Sequence, residues 1–475
     1  MLRNNTFITT LILLLFLFMF WSIIEIQPTL DDFTSMEYPF HGRLSEYLLP
    51  VNSFWRPFDG LYGWMLGQHP RLYPVLNHIL ILCGHLMCTA LVWIVAKQLS
   101  MNSLARNIAT LFFFISPAML RAIVSLFTIS QVYSQLLGLV GLLFYLMFAQ
   151  KKRGMQIGLW LIFSIAATLT KENGIVWIFV APLVGLTFHK TNRKTFFKDI
   201  AWAALWIALY GIIRLSLPLG ADFDNKYIGG GMEQRMMNLA KFLYISWITA
   251  DNISIFFVPL RDYVFAAATL LFSLPFICII FTRGIKGIKD YRLWTLVFCF
   301  FLTALPHLAT FFTLAHAYSA LSFAALIVGY LVSRERHNTM LKVMFLLFLL
   351  SAITVDFHHI YNAYKSGMMS EYYGRKALYK TGKPVDKVYV ITVPTKHSGY
   401  SSFCASPSNA FAQGRAARYQ AKDKWPVEIG DTLLTNTECI SIPTLVDKAF
   451  SEGYDCVWFL NGSHLSVIKN NKKLK

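Results

Sequence analysis

The sequence predicts an α-helical polytopic membrane protein of about 11 transmembrane helices that ends in a small external α/β domain. Three observations predict it. Of 475 residues, 56% are hydrophobic and 16% aromatic while only 14% are charged, a balance too apolar for a soluble globular chain. Apolar runs long enough to approach a bilayer's thickness recur between Phe7 and Asp356, with basic residues clustered in the short stretches between them. From about Phe357 onward the composition turns to that of a soluble fold.

The runs, in order, are Phe7–Glu25, Tyr73–Ala96, Ile108–Ile123, Val132–Phe148, Met155–Thr170, Ile175–Phe188, Ile200–Leu217, Val264–Thr282, Leu293–Phe311, Tyr318–Val332 and Leu341–Asp356. The first follows Arg3 and is longer than the apolar stretch of a signal peptide, without a small-residue cleavage site, so it reads as a retained anchor. One further apolar segment, Met236–Val258, breaks the alternation of charge if counted as a span, and reads as an external interfacial or re-entrant piece.

The net charge of +18 raises nucleic acid as a partner. Its distribution argues against that. Lys97/Arg106, Lys151–Arg153, Lys190–Lys198, Arg283–Arg292 and Arg334–Lys342 occupy alternate loops, as an orientation signal requires. They place the amino terminus in the cytoplasm and the carboxyl terminus outside.

Residues 1–356 therefore form a transmembrane domain with a long first external loop, 27–71, and residues 357–475 an external domain. In the latter, "KVYVITVP" and "YDCVWFL" read as buried strands and "SIPTLVDKAFSEG" as a helix closing on glycine. Of the seven cysteines, Cys83, Cys88, Cys278 and Cys299 lie in apolar runs; Cys404, Cys439 and Cys456 lie in the tail, where one disulfide could form.

The polar groups that could carry chemistry collect on the external face. The first loop opens with the adjacent carboxylates Asp31 and Asp32 and continues through Arg56 and Asp59. Its segments "LSEYLLP" and "PFDGLYGWMLGQHP" interleave aromatic and apolar residues as short interfacial helices do. "LTKENGIVW" sets Lys171 and Glu172 at a membrane boundary, either as a polar turn capping two helices or as a functional pair facing the protein interior. "LPHLATFFTLAHAYSALSF" carries His307, His316 and Tyr318, which with Arg121 make a set able to meet an anionic phosphate.

The ordered series "LDDF", "FWRPFDGLYGWML", "HPRLYPVLN", "TKENGIVW", "DNISIFFVPLRDY" and "LAHAYSALSF" resembles the GT-C superfamily of membrane glycosyltransferases, nearest in pattern to the O-mannosyltransferases. The resemblance runs from about Phe7 to Val332. The chain departs from the pattern at three points: it has no tetratricopeptide tail, Ile81 stands where a histidine is usual, and His316-Ala317-Tyr318 replaces a Glu-Arg-Tyr run. A compact body with a small tail is similar to bacterial relatives that modify envelope polysaccharides or lipids, which implies the bacterial inner membrane as its location.

The resemblance implies transfer, with inversion, of a sugar from a polyprenyl (undecaprenyl) phosphate to a glycan or glycolipid acceptor on the non-cytoplasmic face. It implies Asp32 as general base with Asp31 as its orienter, or the reverse. Arg56 and Lys171, with His316 and Arg121, are the groups expected at the donor phosphate. Glu172, Tyr73, Asn77, His307 and Tyr318 are expected at the acceptor or in positioning. No cofactor is expected, because a base and cations suffice; a divalent metal at Asp31 and Asp32 lacks a visible ligand set. Two other readings fit such a chain: a flippase or transporter of lipid-linked sugars, which predicts inverted repeats and midplane charges, and a polysaccharide polymerase or ligase.

Overall fold

In a bilayer each backbone N–H and C=O has to be satisfied within its own segment, and this chain does so with helices. A computed structural model describes residues 4–29, 32–33, 48, 55–67, 73–148, 152–189, 191–216, 231–248, 251, 262–308, 312–334, 339–393, 400–422, 426–434 and 441–470. The first long helices are α1 (Asn5–Ile23), α2 (Pro57–Gly67), α3 (Tyr73–Gln98), α4 (Ser103–Phe114) and the short α5 (Leu120–Val124). Then come α6 (Ile129–Met147), α7 (Arg153–Thr170), α8 (Trp177–Phe188), α9 (Arg193–Ser216), α10 (Met232–Trp247), α11 (Tyr263–Lys286), α12 (Tyr291–Leu308), α13 (Tyr318–Ser333) and α14 (Thr339–Thr381).

Local sequence sets where several of them start. Asn4 caps α1 by accepting from the amides of Thr6 and Phe7, Asn102 caps α4 through Ala105, and Asp262 caps α11 through Phe265.

Each expected span falls on helix, Ile108–Ile123 on a pair of helices joined through a 3-10 turn. Among the described residues eight helices are long and apolar enough to cross a membrane, and a ninth if α4 and Pro117–Val124, bent by 43°, count as one broken span. The other two fall short: Glu172–Phe188 is too brief, and α7 opens on the polar Arg153 and Gln156. The Met236–Val258 segment contributes α10, which is not among the crossing helices; it buries Phe242 and Ile245 and leaves Met232, Met236 and Met237 exposed.

Short connections make successive helices run back and forth, so the breaks alternate between two ends of the bundle. At one end the basic loops meet. Asp199 pairs with Arg153 and accepts from Tyr145, Asp290 pairs with Arg334, and Asn102 donates to the carbonyl of Ser333. The other end gathers Asp32 and the 55–67 segment of the first loop, the break at 115–128, the turn at 171–176 and the turn before α13.

The tail adds β1 (Lys387–Val393), a small hairpin of β2 (Tyr400–Ser401) and β3 (Cys404–Ala405), α15 (Pro407–Phe411), α16 (Arg415–Gln420), β4 (Glu428–Leu433), α17 (Ile442–Ser451), β5 (Cys456–Asn461) and β6 (His464–Lys469). Its sheet runs β4-β1-β5-β6, with β1 parallel to both neighbours and β6 antiparallel to β5. One face packs on the last turns of α14 through Tyr373 and Ala377; the other packs on α17 through Leu445, Val446 and Ala449. Both predicted strands and the predicted helix are present. The change of composition at Phe357 falls inside α14, which continues unbroken to Thr381. Cys404 and Cys456 are free thiols, and Cys439 lies outside the described residues.

Candidate active site

Two groups of polar side chains lie at the end of the bundle away from the basic loops. The first is built on Asp32. Its side chain is 2% exposed, and its two oxygens accept three backbone amides: Oδ1 from Leu126 at 2.8 Å and Phe127 at 3.3 Å, Oδ2 from Thr29 at 3.0 Å. The amides are available because the chain breaks between α5 and α6, where Leu126–Thr128 forms a single 3-10 turn whose first amides lack carbonyls of their own. Burial pushes the Asp32 carboxyl up to about 6, against the opposing pull of these amides and of the Arg121 guanidinium.

Arg121, on α5, is itself buried and donates to the hydroxyl of Ser402, which lies 2.8 Å from the hydroxyl of Ser125. Its guanidinium stands 5.3 Å from the ring of Phe127. Ser402 belongs to the tail, so this group joins three distant parts of the chain.

The second group is centred on the turn between α7 and α8. Arg56 donates through Nε and Nη2 to one oxygen of Glu172, each at 2.7 Å. Asp59, one turn along α2, and Lys171 share the same field. Burial raises Asp59 despite the nearby Arg56 and Lys171, and burial followed by repulsion from Arg56 lowers Lys171.

Asn173 lies 3.0 Å from Nε2 of His307, and the imidazoles of His307 and His316 stack with centroids 4.1 Å apart. Nδ1 of His316 accepts from the amide of Thr313, which fixes the ring at the start of its turn. Trp55 stacks on Tyr210 at 6.3 Å, extending the group toward α9.

Glycine sets the turn's position. A Cβ on Gly174 would lie 2.3 Å from the carbonyl of Ala167, and one on Gly138 would lie 2.2 Å from the Trp177 ring. Without those side chains α7, the Glu172–Val176 turn and α6 approach closely, and Ser134 donates to the Ala167 carbonyl at 3.0 Å.

Of the residues singled out in the sequence, Arg56, Lys171, Glu172, His307 and His316 are brought together, and Asp32 meets Arg121. Asp31 and the side chain of Tyr73 lie outside the described residues. Asn77 is fully buried on α3 with neither amide atom hydrogen-bonded. Tyr318 is not in either group: its hydroxyl bonds to Nδ1 of His85 at 2.9 Å, and that imidazole reaches the Phe114 carbonyl through Nε2.

The sequence reading assigned no role to Asp59, Asn173, Ser125 or Ser402. Asn173 stands inside the motif that flagged Lys171 and Glu172, and Asp59 inside "FWRPFDG", so proximity in sequence was a usable signal. Among the described residues no group of three or more His, Cys, Asp or Glu side chains is arranged to hold a metal ion.

The arrangement can do two things chemically. A buried carboxylate that remains largely ionised at neutral pH can take a proton, and a set of cations on adjoining turns can hold an anion.

No family model and no curated protein matches the chain. Among solved structures it is similar to "ArnT from Cupriavidus metallidurans bound to Undecaprenyl phosphate", at 9% identity with a TM-score of 0.49 over 98% of each chain. It is also similar to the oligosaccharyltransferase of Archaeoglobus fulgidus in complex with zinc and sulfate, at 12% identity and a TM-score of 0.41, over 85% of this chain and 58% of that one.

Proposed function

We propose that the chain is an inverting GT-C-type glycosyltransferase that moves a hexose from polyprenyl (undecaprenyl) phosphate to an envelope glycan or glycolipid, such as a lipopolysaccharide or O-antigen component, on the non-cytoplasmic face. The observation that carries this reading is the gathering, at one end of the bundle, of a buried carboxylate, Asp32, and a group of Arg56, Lys171, Asp59 and Glu172 drawn from separate loops. The ordered motifs converge on the same residues.

In the proposed step an acceptor hydroxyl gives its proton to Asp32 as its oxygen attacks the anomeric carbon. The bond from that carbon to the phosphate oxygen breaks, and the lipid phosphate leaves with the electron pair. Arg56 and Lys171 receive its growing charge, with Glu172 orienting Arg56 and the stacked His307 and His316 closing that side. Three amides occupy three of roughly four lone-pair positions on the Asp32 carboxylate, which leaves a site for the proton.

The test is transfer of radiolabelled hexose from polyprenyl phosphates to an envelope-lipid extract by the purified protein. Asp32→Asn is expected to lower the rate by roughly 100-fold or more. Undiminished transfer by Asp32→Asn would remove this residue as the base. A wild type that transfers no sugar from any polyprenyl phosphate would remove the reading itself.

A further inference from the structure

At the end of the bundle opposite the candidate active site, Lys286, Lys289, Arg292 and Arg334 converge on one cavity of about 460 Å³ in the turn between α11 and α12. The cavity contains a single carboxylate, Asp290, and its oxygens are committed. Oδ2 lies 3.0 Å from Nη1 of Arg334 and accepts from the Tyr330 hydroxyl at 2.7 Å; Oδ1 accepts from the Arg292 amide at 3.0 Å.

Among the described residues no carboxylate pairs with Lys286, Lys289 or Arg292. Nε of Arg292 is buried without an acceptor, and its guanidinium is held 5.6 Å from the Phe188 ring and 6.0 Å from the Tyr291 ring. Basic loops that serve only as orientation signals are solvated, and a solvated face would not bury an unsatisfied guanidinium nitrogen.

A second cavity, of about 390 Å³, adjoins the first and shares Lys289 and Tyr291 with it. Its walls are mostly apolar, formed by Leu183 on α8 and by Trp294 and Phe298 on α12. Trp294 and Phe298 are half exposed on a helix that crosses the membrane, so this groove opens toward lipid tails. Tyr291 and Trp294 stand in the first turn of this helix beside the basic turn, and aromatic side chains at the ends of a spanning helix mark the headgroup level.

A cationic pocket continuous with an apolar groove at that depth matches one kind of molecule, with an anionic head and a hydrocarbon chain. We propose that these two cavities bind one anionic phospholipid, its phosphate against Lys286, Lys289 and Arg292 and an acyl chain along Trp294 and Phe298. The site is separate from the proposed transfer chemistry and does not depend on it.

The test is native mass spectrometry of the full-length protein titrated with phosphatidylglycerol or phosphatidylcholine. The wild type is expected to retain phosphatidylglycerol at least about fivefold more tightly for each phosphate-facing cation, while binding phosphatidylcholine weakly. Lys286→Gln, Lys289→Gln and Arg292→Gln combined are expected to erase that preference, and Lys289→Arg alone to keep it. Equal retention of the two lipids by the wild type, a comparison that needs no variant, would overturn the proposal. Displacement of phosphatidylglycerol by millimolar inorganic phosphate would also overturn it, because the site would then take a free anion rather than a lipid.

Discussion

Asp32 shows how opposed effects of similar size leave a side chain chemically useful. Burial raises this carboxyl and is the largest effect; three amides and the Arg121 guanidinium pull the other way, and the balance falls at about 6. At neutral pH the group is therefore mostly ionised and can accept a proton. Protonation removes the base, so the rate of sugar transfer is expected to fall as the pH falls through about 6. Arg121 lowers the Asp32 value, so Arg121→Gln should move the acid limb of the pH profile to higher pH, by a fraction of a unit to about one unit. Rate measurements between mildly acidic and mildly basic pH decide this: a limb that stays in place or moves down would show that Arg121 does not act on Asp32.

The elements that hold the second group depend on close helix approach more than on polar contacts. Gly174 packs against the Ala167 carbonyl and Ser134, so Gly174→Ala should displace the Glu172–Val176 turn and cost about 1–3 kcal/mol of stability. Gly158, on α7, has open space where a Cβ would go, and Gly158→Ala is the matched control, expected to keep both stability and transfer. Thermal unfolding in detergent, with transfer assays on both variants, compares them; equal behaviour would mean that the turn tolerates displacement. The helices were legible in the sequence because each span is a continuous apolar run, and the basic loops between runs gave the alternation. The breaks were less legible. "SPAMLRAIVSLFTIS" reads as the end of one span and the start of another, yet it supplies the amides that hold Asp32. Tyr318 carried no local sign that its hydroxyl turns inward to His85, since a tyrosine at a helix start serves either role. Ser402 lies 281 residues from Arg121, and nothing in the tail's composition announces that pairing.

At the scale of the whole molecule, α14 links the two regions. Its 43 residues span about 65 Å, roughly twice the hydrocarbon thickness of a bilayer, so it crosses the membrane and then forms part of the tail's own core. The composition change at Phe357 falls within this helix and does not mark its end. The tail returns to the bundle at residues 402–405 and again through α16: Ser402 meets Arg121 and Ser125, Ala405 donates its amide to Ser366, and Phe403 joins the main apolar core beside His359. The ring of Tyr419 lies 5.8 Å from that of Phe33, next to Asp32. The tail thus packs against the Asp32 group, and in the proposed reaction an acceptor would approach that carboxylate beside it. A Ser125→Cys/Ser402→Cys pair tests the arrangement in a Cys404→Ser background, because the 2.8 Å between the two hydroxyls suits a disulfide without large backbone movement. Oxidation is expected to link the two, detected as a joined peptide by mass spectrometry. The linked protein should lose transfer and recover it on reduction, whereas each single cysteine variant should respond to neither treatment. Failure to form the link would place the tail elsewhere, and full transfer by the linked protein would show that the acceptor enters without the tail moving.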